Sequence, residues 1–228
     1  MSNAKADIQE ALLTLRHTLP EGVELVCVSK YYSKDAILAA YDVGARCFGE
    51  SRVQELLDKA KTLPEDIKWH FIGHLQTNKI RKLLPYVSLI HGVDSWHLLE
   101  KINEVATQEA RTVDVLLEVK ISEDEAKTGF SFSELLDLLH QQRWRELSNV
   151  HICGLMGVAS HTEDTDKIRR EFSALHCMWL SLRQNLLSDN PYFTTLSMGM
   201  TGDWKIAIEQ GSTMVRIGHG IFENKGVK

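Results

Sequence analysis

The sequence predicts an α/β fold, a single (β/α)₈ barrel of the TIM type with an extra N-terminal helix. Eight short, mostly apolar runs of strand type alternate with helical patterns along the 228 residues. No Pro-, Gly- or Ser-rich linker interrupts the alternation, which indicates parallel strands joined by right-handed crossovers. An open doubly wound sheet is the alternative, but its usual G-x-G-x-x-G turn after the first strand is missing. We therefore expect one domain over residues 1–228.

The predicted elements follow one another in a regular order. An amphipathic helix over 6–18 comes first, and a buried strand at 23–28 leads into a helix at 34–43 that ends at Gly44. The other strands are predicted at 46–48, 69–72, 88–90, 113–119, 151–158, 194–196 and 213–217. The other helices are predicted at 52–61, 78–84, 96–109, 133–141, 165–187 and 203–210. Residues 1–4 resemble a cloning remnant, so no element is predicted there.

The composition excludes several classes of function. A formal net charge of -5 without a Lys/Arg-rich run argues against a nucleic-acid surface, which needs a concentrated basic face. No stretch approaches the roughly 20 apolar residues of a membrane span, and the N-terminus lacks the apolar core of a signal peptide. We therefore expect a cytoplasmic protein that binds neither nucleic acid nor membrane.

The cysteines and histidines do not predict a metal site. No C-x-x-C pair occurs, which favours buried, reduced thiols that fill the core over a disulfide framework or a zinc site. The four cysteines are Cys27, Cys47, Cys153 and Cys177. His70 and His74 have the spacing of a metal-binding pair, but no third ligand lies nearby in the sequence, so a structural or pocket-lining role is favoured.

In a parallel barrel the chemistry gathers at the carboxyl ends of the strands. Lys30 comes directly after the first strand. One interpretation is a lysine that extends its charged end out of the barrel mouth. The other is a Schiff-base lysine, because partial desolvation lowers the pKa of an amine and leaves it able to attack an aldehyde. We also expect Ser51, His74 and Asn78, which follow the second and third strands, to line the binding pocket at this end of the barrel.

The last two strands carry a candidate anion site. An S-M-G-M-T turn at 197–201 and the strand M-V-R-I-G at 214–218 each include a glycine, which lets backbone N–H groups approach an anion closely. Barrels place a phosphate on the loops after strands seven and eight. Arg216 lies within the eighth strand and needs a partner if it points inward, which is either a barrel carboxylate or a ligand's ring nitrogen or phosphate. A lysine, an arginine and a phosphate cup together suit pyridoxal 5′-phosphate, an aldehyde that carries a phosphate.

Seven motifs, taken in order, resemble the pyridoxal phosphate homeostasis family, whose members are also described as alanine-racemase N-terminal-domain-like. The resemblance covers nearly the whole chain. The motifs are V-S-K at 28–30, F-G-E-S-R-V-Q-E at 48–55, W-H-F-I-G-H-L-Q-T-N-K at 69–79, K-T-G at 127–129, G-L-M at 154–156, L-S-M-G-M-T at 196–201 and A-I-E-Q-G-S-T-M-V-R-I-G at 207–218.

The resemblance implies a fold-type III barrel in which Lys30 holds pyridoxal phosphate as a Schiff base and Arg216 faces the pyridine nitrogen. An arginine there keeps that nitrogen unprotonated and limits carbanion chemistry. The resemblance also implies a phosphate site made of backbone N–H groups and hydroxyls. Its residues are Ser197, Gly199, Met200, Thr201 and Gly218. The family is understood as a cofactor carrier or regulator in vitamin B6 homeostasis, with apoenzymes that depend on the cofactor as partners.

Three positions depart from the family's pattern. Ser51 stands where many members have asparagine, and Thr201 stands where serine is usual, although both keep a hydrogen-bonding side chain. The tail reads I-F-E-N at 221–224, where the family generally has glycine after Ile-Phe. The phosphate site should survive these changes, because Ser51 and Thr201 still offer hydrogen bonds.

Two other functions remain as alternatives. An amino-acid racemase needs a second acid/base group opposite Lys30. In alanine racemases that group is a tyrosine, completed by a β-rich second domain and a dimer partner. The sequence ends about ten residues after Gly218, so we expect a non-catalytic monomer, and neither Tyr31 nor Tyr32 can be assigned the role. A barrel that binds another phosphorylated metabolite, with Lys30 only as a charge, is the other alternative.

Overall fold

The computed structural model describes residues 2–124 and 127–223, with the side chains of residues 2 and 3 left aside. Eight parallel strands close into a barrel, since each strand pairs with the next and β8 pairs with β1. The strands are β1 Glu24–Val28, β2 Cys47–Glu50, β3 Lys68–Phe71, β4 Val87–Val93, β5 Val113–Val119, β6 Val150–Gly157, β7 Thr195–Met200 and β8 Met214–Ile217. This topology confirms the predicted barrel and rules out the open doubly wound sheet.

Helices surround the barrel and connect its strands. They are α1 Ser2–Thr18, α2 Lys34–Asp42, α3 Val53–Ala60, α4 Ile80–Leu83, α5 Trp96–Gln108, α6 Phe132–His140, α7 Thr165–Gln184, α8 Trp204–Glu209 and α9 His219–Phe222. Short 3-10 turns occur at Thr77–Lys79 and Arg143–Glu146. Side-chain caps satisfy the first N–H groups of several helices, as Ser95 does for α5. No helix within the described ranges combines the length and the apolar content needed to cross a membrane.

The additional N-terminal helix is present and packs against α2 and α9. Its buried residues Ile8, Leu12 and Leu15 recur at helical spacing and join the main core. The helix begins at Ser2, four residues before the predicted start, so residues 2–4 continue it. The Ser-Asn-Ala run at 2–4 contains no proline and is compatible with the first turn of a helix, so the helix extends through it.

Two apolar clusters stabilise the barrel. The larger one lies between the sheet and the helices. The smaller one joins residues from strands all around the closed barrel, which places it inside. Its buried members are Val26, Cys47, Leu89, Leu116, Cys153, Met156 and Met214. Strands covered on both faces read as nearly continuous apolar runs, which is why the sequence pattern located them.

Some boundaries and burial predictions were wrong. β7 runs to Met200, so most of the predicted turn at 197–201 belongs to a strand. A register shift between Ser197 and Met200 allows the pairing with β8 to continue. The helix predicted to reach 187 ends at Gln184, and the short helix α9 was not predicted. Three of the cysteines are buried, but Cys177 is exposed on the outer face of α7, and all four are free thiols.

Candidate functional site

Lys30 lies half-buried in the turn after β1, and the backbone on both sides of it is anchored. On one side, Lys59 Nζ donates to the carbonyl oxygen of Ser29 at 2.8 Å. On the other, the N–H of Tyr31 donates to Glu55 Oε1 at 2.7 Å. Lys59 also donates to Glu55 at 2.7 Å, so one lysine–carboxylate pair holds both ends of the turn. The position of Lys30 is therefore fixed by α3, the helix that carries this pair.

Glu50 at the end of β2 completes the buried cluster beneath the turn. Its Oε1 accepts from Lys59 Nζ at 2.8 Å and from the Ser29 hydroxyl at 2.5 Å. Burial raises the pKa of the Glu50 carboxyl, against the hydrogen bonds from Lys59 and Ser29. Burial also acts on Glu55, but there the hydrogen bonds from Lys59 and the Tyr31 N–H prevail and lower the pKa. Lys59 thus pairs with both carboxylates, while the second oxygen of Glu50, Oε2, is buried without a hydrogen-bond partner among the described residues. Loss of Lys59 would leave the Glu50 charge buried without a cation.

The amine of Lys30 is available at the barrel mouth. Its Nζ lies 5.9 Å from the centre of the Tyr31 ring. Within the described ranges it makes no hydrogen bond and no ion pair. Tyr31 has a φ of 71°, a left-handed conformation that is rare for a bulky residue and common at functional sites. The turn thus presents, on an anchored and locally strained segment, an amine that has no hydrogen-bond or ion-pair partner in the described part of the chain.

Arg216 points into the barrel and is buried. Its Nη1 donates to Ser197 Oγ at 2.6 Å, and its Nη2 donates to the Gly157 carbonyl at 3.2 Å. No carboxylate of the described chain forms an ion pair with it, so the ordinary salt bridge considered from the sequence is not found. Burial lowers the pKa of Arg216 to about 10, while the charges of Asp203 and Glu118 act in the opposite direction. A buried guanidinium whose partners are neutral can donate a hydrogen bond to an acceptor atom of a ligand.

The ends of β7 and β8 meet their neighbours closely enough to require glycine at two positions. Gly199 has a φ of 97°, and a Cβ there would lie 2.6 Å from the Ala207 Cβ of α8. A Cβ on Gly218 would lie 2.9 Å from the Val28 carbonyl oxygen of β1. These contacts bring the start of α8 and the end of β8 to the same side of the mouth as β1, beside the turn that carries Lys30.

Backbone N–H groups line this side of the mouth. Those of Thr201, Gly202 and Gly218 make no hydrogen bond to any other described residue, and the space around Gly202 is open. The N–H of Met200, in contrast, donates to Asp203 Oδ1 at 2.6 Å. Burial raises the pKa of that Asp203 carboxyl, against the hydrogen bond from Met200. The group of free donors is suited to an anion.

Ser197 is predicted to offer a hydroxyl to the phosphate, but its side chain lies inside the barrel instead of on a loop at the mouth. It is fully buried, and its Oγ accepts from Arg216 and lies 3.3 Å from His91 Nδ1. The reason is that β7 continues past this residue, which turns the side chain into the barrel instead of a loop. Ser197 therefore contacts Arg216 rather than the backbone donors.

The remaining predicted residues follow β2 and β3, the strands that come after β1 in the barrel. Ser51 and His74 both line a recess of about 290 Å³ between α3 and the 3-10 turn, where Gly73 packs on the Ser51 backbone. His74 Nδ1 lies 2.9 Å from Asp94 Oδ2, and its partner His70 of the supposed metal pair points into the barrel instead. Asn78 is exposed on the 3-10 turn and makes no hydrogen bond within the described ranges. The structure does not join Asn78 to the group around Arg216.

Glu118 near the end of β5 is a site residue that the sequence analysis missed. It is half-buried, and burial together with the charge of Asp94 raises its pKa to about 7, while the charge of Arg216 lowers it. Thr128 donates to its Oε1 at 3.4 Å. The alternation of side chains along a strand could have located it. Glu118 lies two residues after Leu116 and therefore shares the inward face of β5.

Comparisons with known proteins found a matching family and several relatives. Residues 5–225 match the family described as alanine racemase, N-terminal domain. A pyridoxal phosphate homeostasis protein of Vibrio alginolyticus is 35% identical over an alignment 233 residues long, which covers 97% of this chain and 97% of that protein. One from a Synechocystis species is 38% identical over 91% of this chain and 94% of its own length.

Solved structures show the same similarity. PipY of Synechococcus elongatus without pyridoxal phosphate superposes with a TM-score of 0.89 at 37% identity, covering 94% of this chain and 99% of that one. The same protein with pyridoxal phosphate bound gives 0.85 at 35% identity, with the same coverage. Alanine racemase of E. faecalis shares the fold, with a TM-score of 0.73 at 18% identity, and this chain covers 57% of it.

Proposed function

Because this chain belongs to the pyridoxal phosphate homeostasis protein family, we propose that it binds pyridoxal 5′-phosphate at the barrel mouth and acts in the homeostasis of that cofactor. The observation that carries the proposal is the placement of three complementary groups at one end of the barrel. They are the amine of Lys30, the buried guanidinium of Arg216, and the N–H groups after β7 and β8. Neither the amine nor these N–H groups have a hydrogen-bond partner among the residues that the structure describes.

These groups fit the chemistry of the cofactor. The amine of Lys30 suits its aldehyde and would hold it as a Schiff base. The N–H groups of Thr201, Gly202 and Gly218 suit its phosphate. Arg216 would donate to the pyridine nitrogen. Since a guanidinium stays protonated, it would keep that nitrogen unprotonated and so weaken electron withdrawal by the ring.

Ser197 and Met200 would contribute indirectly. Ser197 would position Arg216 through the 2.6 Å hydrogen bond. The Met200 N–H would reach a phosphate only after release from Asp203. Gly199 would keep α8 close to β7, and Ser51, His74 and Asn78 would line the other wall of the pocket.

We propose that the protein holds the cofactor without catalysis. The curated relatives are named as homeostasis proteins. Racemisation needs a second acid/base group near Lys30, and Tyr32 is poorly suited to that role. Its hydroxyl donates to Glu223 at 2.9 Å, and burial together with that hydrogen bond raises its pKa to about 12. Tyr31 is 68% exposed, outside the shielded part of the mouth.

A racemase assay tests the non-catalytic part. Protein loaded with pyridoxal phosphate is incubated with L-alanine, and D-alanine is measured by chiral chromatography. We expect no D-alanine above the level given by the free cofactor. Formation of D-alanine that disappears in Lys30→Ala would support the racemase alternative instead.

The binding part is tested by the visible spectrum after the cofactor is added and the protein desalted. Wild type should retain an imine band, and Lys30→Ala should lose it. Lys34→Ala is the matched control, because Lys34 is an exposed lysine four residues away and should leave the band intact. Phosphate binding without an imine band in wild type would support the alternative of another phosphorylated metabolite.

Partners and assembly form the last part of the proposal. Release of the cofactor to apoenzymes that depend on it is tested by mixing loaded protein with such an apoenzyme and following recovered activity against free cofactor. We also propose a monomer, for which light scattering coupled to size-exclusion chromatography should give a mass close to 25.9 kDa.

A further inference from the structure

A second group of reactive side chains lies at the amino ends of the strands, on the barrel face opposite Lys30. Glu24 and Cys47 are the first residues of β1 and β2, and His70 lies on β3. The thiol of Cys47 donates to Glu24 Oε1 at 3.3 Å, and its Sγ lies 3.1 Å from His70 Nε2. These three side chains thus offer one oxygen, one sulfur and one nitrogen to a common point.

We propose that Glu24, Cys47 and His70 form a zinc-binding site with an open fourth position. The cysteine–histidine–carboxylate set favours zinc over calcium and magnesium, which prefer oxygen ligands. In a tetrahedral zinc site the sulfur lies roughly 3.5 Å from the nitrogen and oxygen ligands. The observed distances of 3.1 and 3.3 Å are a few tenths of an ångström shorter, as expected for groups joined by hydrogen bonds alone.

Access and burial agree with a metal site. Glu24 and Cys47 border a surface recess of about 450 Å³, which gives the fourth position to water or another small ligand. Glu24 is exposed, so its side chain can adjust, whereas Cys47 and His70 are buried and fixed.

The neighbours of the group support His70 as a ligand. Its other ring nitrogen, Nδ1, lies 3.1 Å from His91 Nε2, and such a second hydrogen bond orients a metal-binding histidine. The charge of Lys68 opposes a cation here. However, the Cys47 proton leaves when zinc binds, and the resulting thiolate and the Glu24 carboxylate together match the charge of the ion.

Cobalt substitution tests the proposal on the full chain, stripped of metal and without added pyridoxal phosphate. Equilibrium dialysis should give about one zinc per chain, and Co²⁺ should produce the near-ultraviolet charge-transfer band of a cobalt–thiolate bond. Cys47→Ser should abolish the band and weaken zinc binding at least tenfold. A loss of about tenfold already follows when a residue that only orients a ligand is replaced, and Cys47 would be a ligand itself. Cys177→Ser, which removes an exposed cysteine, is the matched control and should change neither.

Glu24→Gln provides a second test at an exposed position. It should keep the cobalt–thiolate band and weaken zinc binding at least tenfold, because a neutral amide replaces the carboxylate. Failure of wild type to bind zinc, or a cobalt spectrum that Cys47→Ser leaves unchanged, would overturn the proposal and restore the expectation of no metal site. Neither outcome bears on cofactor binding at Lys30, on the opposite face.

Discussion

Glu118→Gln should reduce the pH dependence of the free energy of unfolding, measured on the protein without bound cofactor. The pKa of Glu118 is raised from its ordinary value of 4.5 to about 7, first by burial and then by the charge of Asp94. Between these two values the folded chain keeps a proton that the unfolded chain releases. The associated stability is therefore fully present below about pH 4.5 and is lost as the pH rises through about 7.

The magnitude follows from the size of the pKa shift. At about 1.4 kcal/mol per pKa unit, the full effect is about 3 kcal/mol, and the part lost between about pH 5 and about pH 8 is 2–3 kcal/mol. Replacing Glu118 by glutamine should remove this loss, because the amide does not titrate. The variant should therefore gain stability relative to wild type at the higher pH.

The assay is urea unfolding followed by circular dichroism at both pH values. Glu10→Gln, at an exposed carboxylate on α1, makes the same charge change and should keep the pH dependence of wild type. The reasoning would be refuted if wild type and Glu118→Gln lost equal stability between the two pH values.

Three further substitutions test the geometry of the site. Gly199→Ala, which forces a side chain into α8 at a φ of 97°, should cost about 2–4 kcal/mol in urea unfolding and weaken cofactor binding; unchanged stability would contradict the close packing. Lys59→Met leaves Glu50 buried without its cation and should cost about 3–5 kcal/mol at neutral pH; a cost below about 1 kcal/mol would mean that the pair is dispensable. Ser197→Ala removes one acceptor from Arg216 and should cost about 1–3 kcal/mol, with a shift in the absorption of the bound cofactor; an unshifted spectrum would argue against positioning through Ser197.

The barrel was predictable because its strands are buried on both faces. Each strand reads as a short apolar run, and the helices between them show a different period. Lys30 and Arg216 stood out for the same reason, since a charged residue within or directly after such a run is conspicuous. The extent of β7 was harder to predict, because Gly199 appears in the sequence as a break, whereas in the structure it lies within a register shift between Ser197 and Met200.

The surroundings of Lys30 could not be predicted in the same way. Lys59 occupies an ordinary helical position, where lysine usually faces solvent, and only the packing of α3 on the barrel buries it beside Glu50. Cys47 and His70 are separated by 23 positions, and only the pairing of β2 with β3 brings them together. Contacts of this kind depend on strand register, which the sequence pattern leaves open.

Identification of the lysine that bonds to pyridoxal phosphate tests the central claim most directly. Protein loaded with the cofactor is reduced with borohydride, digested and mapped by mass spectrometry, with Lys30→Ala treated in parallel. We predict one reduced adduct, on the peptide that contains Lys30, and its absence in the variant. An adduct on another lysine, or one that Lys30→Ala leaves unchanged, would contradict the assignment of Lys30.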